Sequence, residues 1–235
     1  MIVAVIPALN EEANVADVVR GVGPHVDRVI VSDNGSWDAT AERARRAGAE
    51  VVLEPQRGYG AACLTGIARA RELDADVVLF LDCDGSDDPE DAPRLLSPIL
   101  EGVADLTLGV RTSESTEPGA MTPVQRFGNW LAPRLMHLAT GARYRDLPPF
   151  KAIRRSSLDL LGLADRGYGF TVEFLFRAHA ERLRTQEIVV ACRARSGGKS
   201  KISGTVRGSV RAGGKIIAVI ARHALRSRSR IGSGG

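Results

Sequence analysis

The stretch DVVLFLDCDGSDDPED, residues 76–91, decides the fold class. Its first half is an almost unbroken apolar run, the composition of a strand buried on both faces of a parallel sheet. Its second half puts six acidic side chains into the ten residues 82–91, directly after that run. Carboxylates crowded at the end of a buried strand lose hydration and repel one another unless a cation neutralises them. Asp82 and Asp84 flank a single residue, so both can reach one hard divalent ion where the strand opens into a loop. Oxygen ligands suit Mg²⁺ or Mn²⁺, and such an ion completes its shell with substrate phosphate oxygens. The acids from Asp87 to Asp91 have a second explanation, the positive end of a following helix. Asp82 and Asp84 precede that helix and do not share it.

Upstream, the same alternation recurs. IVAVI (2–6), RVIVS (28–32) and EVVLE (50–54) read as strands, and DLTLGV (105–110) adds one downstream. Between them, about 11–21, 38–47, 60–73 and 89–101 read as helices, with Asn10, Asp38 and Asp88 placed as N-caps. Strand and helix in alternation predict a doubly wound α/β sheet, mostly parallel, with ligands at the carboxyl ends of its strands. The second half is less regular. Residues 111–123 read as an exposed loop and candidate lid, followed by a helix over about 123–140 and a proline-rich turn at RDLPPF (145–150). Helices near 156–163 and 170–183, a strand near 185–193 and a last helix over about 205–225 complete the reading. One domain, 1–204, with a basic helix and tail, 205–235, is the expected organisation.

Charge is unevenly spread. From Lys199 onward there are nine Lys and Arg and no Asp or Glu, so of the net +4 the rest of the chain carries −5. A run of this kind suits an anionic partner: phosphate groups or a membrane surface, or else it is a solvated helix face. Nucleic acid is not expected. Cys63, Cys83 and Cys192 are too scattered for a disulfide framework or a zinc site, which predicts a reducing cytoplasm. The opening MIVAVIP lacks the basic start of a signal peptide, and no apolar run approaches the roughly 20 residues of a membrane span. The expected place is the cytoplasm, at the inner face of the cell membrane if the tail engages lipid.

The other loops carry weaker signals. In PALNEE (7–12), a proline breaks the opening strand, Asn10 can cap a helix, and no glycine-rich dinucleotide fingerprint follows. In SDNGS (32–36), Asp33 precedes an Asn-Gly turn and could either cap it or accept hydrogen bonds from a base or ribose. In EPQRGYGAACLTGI (54–67), Arg57 stands beside a glycine pair opening a helix, an arrangement suited to a phosphate or nucleotide edge.

Taken in order, VIPALNEE, VSDNGSWDAT, RGYGAACLTGI, the D-x-D of LDCDGSDDPED, LGVR (108–111), PFKAIRRSSL (149–158) and RSGGKSK (195–201) resemble the family 2 glycosyltransferases of GT-A fold, within them the dolichyl-phosphate mannose synthase-like group. The resemblance covers about residues 1–205. It implies that Pro7, Ala8, Asn10, Glu11, Asp33, Arg57 and Gly58 lie near the nucleoside. Asp82, Cys83 and Asp84 would lie near the ribose and the metal. It also implies that Arg195, Ser200 and Lys201, in an R-x-x-G-x-S-K pattern with Gly198, bind phosphate, with Arg111 and Arg126 as further phosphate-binding cations. Two departures stand out: P-P-F-K at 148–151 where S-G-F-R is common, and Ser86 where a Gln is frequent.

The implied reaction is inverting transfer of a hexose from UDP-glucose or GDP-mannose, with Mg²⁺ or Mn²⁺, to a polyprenyl phosphate. A small soluble hydroxyl acceptor is the alternative, and a sugar nucleotidylyltransferase the alternative from another class. A phosphate acceptor is already anionic; a hydroxyl needs a base. Glu173, in FTVEF, matches the family's position for one, and Asp146 is second choice. An anionic membrane surface and a second copy of the chain in a homodimer are the further partners considered.

Overall fold

A computed structural model describes residues 1–194; the basic tail, and with it Arg195, Ser200 and Lys201, lies outside the described residues. The predicted strands form as β1 (Ile2–Ala8), β2 (Arg28–Asp33), β3 (Glu50–Leu53), β4 (Val77–Phe80) and β5 (Leu106–Val110). The predicted helices form as α1 (Val15–Val22), α2 (Thr40–Arg46), α3 (Tyr59–Glu72) and α4 (Ala92–Leu100). Then come α5 (Pro123–Thr140), β6 (Lys151–Arg154), α6 (Arg155–Leu160), α7 (Phe170–Ala180) and β7 (Thr185–Val189).

The seven strands make one sheet in the order β3-β2-β1-β4-β6-β5-β7, parallel except for β6, which runs antiparallel to both neighbours. The chain builds outward from β1 through β2 to β3, then returns to place β4 on the other side of β1. The crevice beyond the carboxyl ends of β1 and β4 is therefore the topological switch point, where open α/β sheets bind ligands.

Strand periodicity sends alternate side chains to two cores. Val3, Val5, Val78, Phe80, Leu106 and Leu108 pack with residues of α3, α5, α6 and α7. Ala4, Ile6, Val31, Leu79 and Leu81 pack on the other face with α1, α2 and α4. In α1 the buried set Val15, Val18, Val19 and Val22 follows the helical i, i+3, i+4, i+7 pattern.

Three expectations are corrected. Asn10 does not cap α1: it has φ 52°, and α1 begins only at Val15. Its amide donates to Ser36 Oγ and its Oδ1 accepts from the Trp37 amide, so it joins the first loop to the second. Pro7 does not break β1, which runs on to Ala8. The pairing of β4 with β1 ends at Val5, so the missing N–H at position 7 costs no rung on that side. The strand β6 has no counterpart in the sequence reading. It is four residues long and carries a lysine, which gives no apolar period to detect. Lys151 is nonetheless fully buried, its Nζ donating to the carbonyls of Pro148 and Pro149 at 3.3 and 3.0 Å. Asp88, by contrast, does cap, accepting from the Glu90 amide ahead of α4.

Candidate active site

A cavity of about 290 Å³ occupies the switch-point crevice. The first loop contributes Pro7, Ala8, Leu9 and Glu11; the second, Asn34; the third, Arg57, Gly58, Tyr59 and Ala62; the acid loop, Asp82, Cys83 and Asp84. Gln125 of α5 and Tyr168 complete the wall. Four of the loops singled out by sequence thus meet at one place.

The loops are tied together by side chains. Asn34 donates through Nδ2 to the carbonyls of Glu54 and Gln56, at 3.1 and 2.8 Å, and accepts from the Gly58 amide at 2.8 Å. Asp33 is buried and accepts from the Ser36 amide at 2.9 Å; it closes the turn, and Asn34 rather than Asp33 faces the cavity. Glu11 is buried too, accepting from Asn14 Nδ2 while its amide donates to Thr40 Oγ1.

The glycines of RGYG have a steric cause. A Cβ on Gly58 would stand 2.0 Å from the Arg166 carbonyl oxygen, and one on Gly60 would stand 2.0 Å from that of Asp165. The segment 164–167 lies directly on the start of α3, where Gly60 N and Ala61 N donate to the Gly167 and Arg166 carbonyls. These first-turn amides are therefore taken by protein, and the expected use of this helix end for a phosphate does not hold for them. Arg57 remains at the cavity wall.

Behind that segment, Glu173 Oε2 accepts from the amides of Ala164 and Asp165 at 2.9 and 2.7 Å. Its carboxylate is buried and lines neither cavity described here. Glu54 braces the same segment, pairing with Arg166 at 3.0 Å and accepting from Thr65 Oγ1 at 2.6 Å.

In the acid loop, Asp87 is buried and accepts from the Asp82 amide at 3.0 Å. The helix-terminus explanation given for Asp87 thus gives way to membership in the Asp82–Asp84 cluster. Burial, with the charges of Asp84 and Asp87, pushes the Asp82 carboxyl up to about 8, and burial pushes Asp87 up to about 6. Tyr59 donates to Asp82 Oδ1 at 3.2 Å, and the buried Lys151 bears electrostatically on Asp82 and Asp87 from below. The Ser86 amide donates to Asp84 Oδ1 at 2.9 Å. Among the described residues no three acidic, His or Cys side chains form a closed metal cage. Asp82 and Asp84 both line the smaller cavity, and their carboxylate oxygens are the donor type that suits a hard divalent ion.

A second, larger cavity of about 950 Å³ opens beside the first. Gln125 lines the smaller and Arg126 the larger, so the first turn of α5 stands between them. Arg111, Arg126, Arg134, Arg143 and Arg145 reach this second cavity together with Met121, Trp130, Pro133 and Leu138. Asp146 is not free there: it forms a two-pronged pair with Arg111, at 2.7 and 3.0 Å, and also accepts from the Arg111 and Leu147 amides. Burial alone would lower the Arg111 pKa, but this pair holds it above the ordinary value and keeps the guanidinium charged. The candidate lid is likewise tied down, since Cys192 bridges both Thr116 and Asp87, and Arg193 N donates to the Ser86 carbonyl.

A model of the family described as Glycosyl transferase family 2 matches residues 3–162. The chain belongs to that family. As a family 2 glycosyltransferase it is 38% identical, over 89% of its length and 93% of the relative's, to an uncharacterized glycosyltransferase of Mycobacterium bovis. It is 28% identical to the undecaprenyl-phosphate mannosyltransferase of Micrococcus luteus, over 88% of this chain and 89% of that one. Among solved structures it matches the glucosyl-3-phosphoglycerate synthase of Mycobacterium tuberculosis in complex with phosphoglyceric acid, at TM-score 0.77 and 26% identity, over 95% of this chain and 80% of that one. The same synthase in complex with Mn²⁺, UDP-glucose and phosphoglyceric acid matches at TM-score 0.77 and 25% identity, over 95% and 79% of the two chains. The sheet order and these matches make the fold GT-A. No helix among the described residues is long and apolar enough to cross a membrane.

Proposed function

We propose that this glycosyltransferase moves a hexose from a nucleotide diphosphate sugar to a phosphate-bearing acceptor, and that the acceptor is a polyprenyl phosphate. Pro7, Ala8, Asn34, Arg57 and Gly58 hold the nucleoside end of the donor. Asp82 and Asp84 would hold Mg²⁺ or Mn²⁺, which when bound would supply positive charge for the leaving diphosphate. The Mn²⁺ and UDP-glucose bound by the related synthase support this donor class.

One observation carries the acceptor reading: the larger cavity joins five arginines to an apolar wall of Met121, Trp130, Pro133 and Leu138. Arginines suit the phosphate, with Arg111 fixed by Asp146 and Arg126 on the turn of α5 that stands between the cavities. The apolar wall suits a hydrocarbon chain. A phosphate oxygen is already a nucleophile and needs no base. Support for this comes from the two carboxylates considered for that role, since Asp146 is paired with Arg111 and Glu173 is bonded to two amides. Glu173 is then an organiser of the segment 164–167; a hydroxyl acceptor would call on it as a base. The R-x-x-G-x-S-K pattern, with Arg195, Ser200 and Lys201, adds phosphate contacts in this reading.

A second reading, a small phosphorylated acceptor, draws on the phosphoglyceric acid complex of the related synthase. One assay separates the two. Purified enzyme is given UDP-glucose or GDP-mannose with Mn²⁺, and either a short-chain polyprenyl phosphate or phosphoglyceric acid. Sugar transfer to the lipid phosphate alone supports the leading reading, and transfer to phosphoglyceric acid alone replaces it.

A further inference from the structure

We propose that the exposed face of α5 is a docking surface for a bilayer containing anionic lipid. The inference extends the polyprenyl-phosphate reading and rests on it for its purpose, while its test needs no acceptor. In α5, Ala132 and Met136 are buried against the protein. On the opposite side Phe127, Trp130 and Leu138 are 59%, 51% and 82% exposed, at helical spacings of three and eight residues. Phe127 and Trp130 stack with ring centroids 5.8 Å apart, and the Arg134 guanidinium lies 4.3 Å from the Trp130 centroid. Large apolar side chains on one helix face, rimmed by arginine, are the composition of helices that lie in a membrane interface.

Charge selects the occupant. From Pro118 to Arg145 there is no Asp or Glu, while Arg126, Arg134, Arg143 and Arg145 all fall in this span. Arg145 pairs with Glu187 at 3.5 Å. Among the described residues, no acidic side chain pairs with Arg126, Arg134 or Arg143. The chain's own tail has nine basic residues and no acidic one beyond residue 198, so it repels this face. A second copy related by a two-fold axis would set arginine against arginine. A surface of phosphatidylglycerol or a similar lipid complements both the arginines and the apolar stripe. The stripe also runs directly into the larger cavity, whose wall shares Trp130, Arg134 and Leu138 with it. A lipid-borne phosphate reaches Arg111 from this side without leaving its membrane.

The test uses the full chain carrying Trp37→Phe, which leaves Trp130 as the sole tryptophan. Trp37 is 82% exposed, so its replacement removes no core contact. With mixed phosphatidylglycerol–phosphatidylcholine vesicles at low salt, Trp130 emission should shift to the blue. Lipids brominated in their acyl chains should quench it, and high salt should reverse both effects. Phosphatidylcholine vesicles alone should leave the emission unchanged. Adding Phe127→Ser, Arg134→Gln and Leu138→Ser should weaken vesicle partitioning at least tenfold with the thermal midpoint preserved, since all three side chains are exposed. Unchanged Trp130 emission on bound vesicles, or equal binding by the substituted chain, would place docking elsewhere and overturn the proposal. So would a chain that ignores anionic vesicles at low salt. Sedimentation that shows these substitutions splitting a dimer, with vesicle binding unaffected, would make the face a subunit seam instead. Transfer to a polyprenyl phosphate held in detergent reads the acceptor separately, so the failure of one idea is distinct from the failure of the other.

Discussion

The Asn34 carboxamide accepts from the Gly58 amide at 2.8 Å while donating to the carbonyl of Gln56 at 2.8 Å, so one side chain closes the third loop onto the second. The backbone adds one more tie, from the Glu54 amide to the Asp33 carbonyl at 2.8 Å. Asn34→Ala leaves one amide and two carbonyls without that partner, at a cost of about 1–3 kcal/mol. The loop that carries Arg57 then loosens, and donor affinity should fall roughly tenfold (~1.4 kcal/mol). Calorimetric titration with the nucleoside diphosphate, alongside thermal melting, checks both effects. Wild-type affinity in Asn34→Ala would show that the loops are held by other means.

Glu173 separates two roles by two substitutions. Its Oε2 accepts from both Ala164 N and Asp165 N, and a glutamine oxygen at that place can accept from the same amides. Glu173→Gln should therefore keep the thermal midpoint near wild type and cost only a few-fold in rate. Glu173→Ala strips both amides of their acceptor and should lower both stability and turnover. If Glu173 were instead a base, the glutamine would lose roughly 10²–10⁴-fold in kcat at unchanged stability. Parallel measurement of kcat and melting in the two variants decides.

Much of this architecture was legible because buried parallel strands advertise themselves. VAVI, VIV and VVLF have no room for polar residues, and the acid loop after the last of them marks the switch point. Arg57, Asp82 and Asp84 were read from charge placed at strand and helix ends. Other features left no local signal. Lys151 looks like a surface residue in sequence, and only the fold reveals it as fully buried beneath the acid loop. Asn34 reads as half of an ordinary turn. Tyr168 comes to the cavity because the segment after α6 packs on the glycines of α3, a contact between residues more than a hundred positions apart. Asn10 misled because a capping residue and a loop-bridging residue have the same chemistry; its left-handed backbone distinguishes them.

The Asp82 carboxyl gives the metal-free protein a characteristic pH dependence. Burial, then the charges of Asp84 and Asp87, lifts it to about 8, against roughly 3.9 in an unfolded chain. Between those values the folded state holds a proton that the unfolded chain has released. Stability from this group is thus present at low pH and is lost as pH rises through the window, with a slope of up to about 1.4 kcal/mol per pH unit. Metal-free wild type should lose more stability from about pH 5 to about pH 8 than Asp82→Asn does. Mn²⁺ should restore wild type most at the upper end, where the carboxylate is ionised. Denaturant melts across that range test this, and parallel slopes for the two proteins would remove Asp82 as the source.

Asp84 carries the remaining prediction, because its place in the loop separates binding from folding. Its Oδ1 accepts from the Ser86 amide at 2.9 Å, two residues away within the same loop. The residue lies outside the strands and helices, in the loop between β4 and α4, so Asp84→Ala should fold. Metal binding is another matter. Asp82 and Asp84 are the pair proposed to share one ion, and one carboxylate alone holds a hard divalent cation poorly against water. In wild type, Mn²⁺ should strengthen nucleoside diphosphate binding, because Asp82 and Asp84 would hold the ion and it would supply positive charge to the diphosphate. In Asp84→Ala the same diphosphate should bind with an affinity indifferent to Mn²⁺, and sugar transfer should disappear. Calorimetry with and without the metal, on both proteins at matched ionic strength, reads this without requiring turnover. Equal diphosphate affinity in the presence and absence of Mn²⁺ for the wild-type protein would remove the metal from the donor site and leave Arg57 as its phosphate contact.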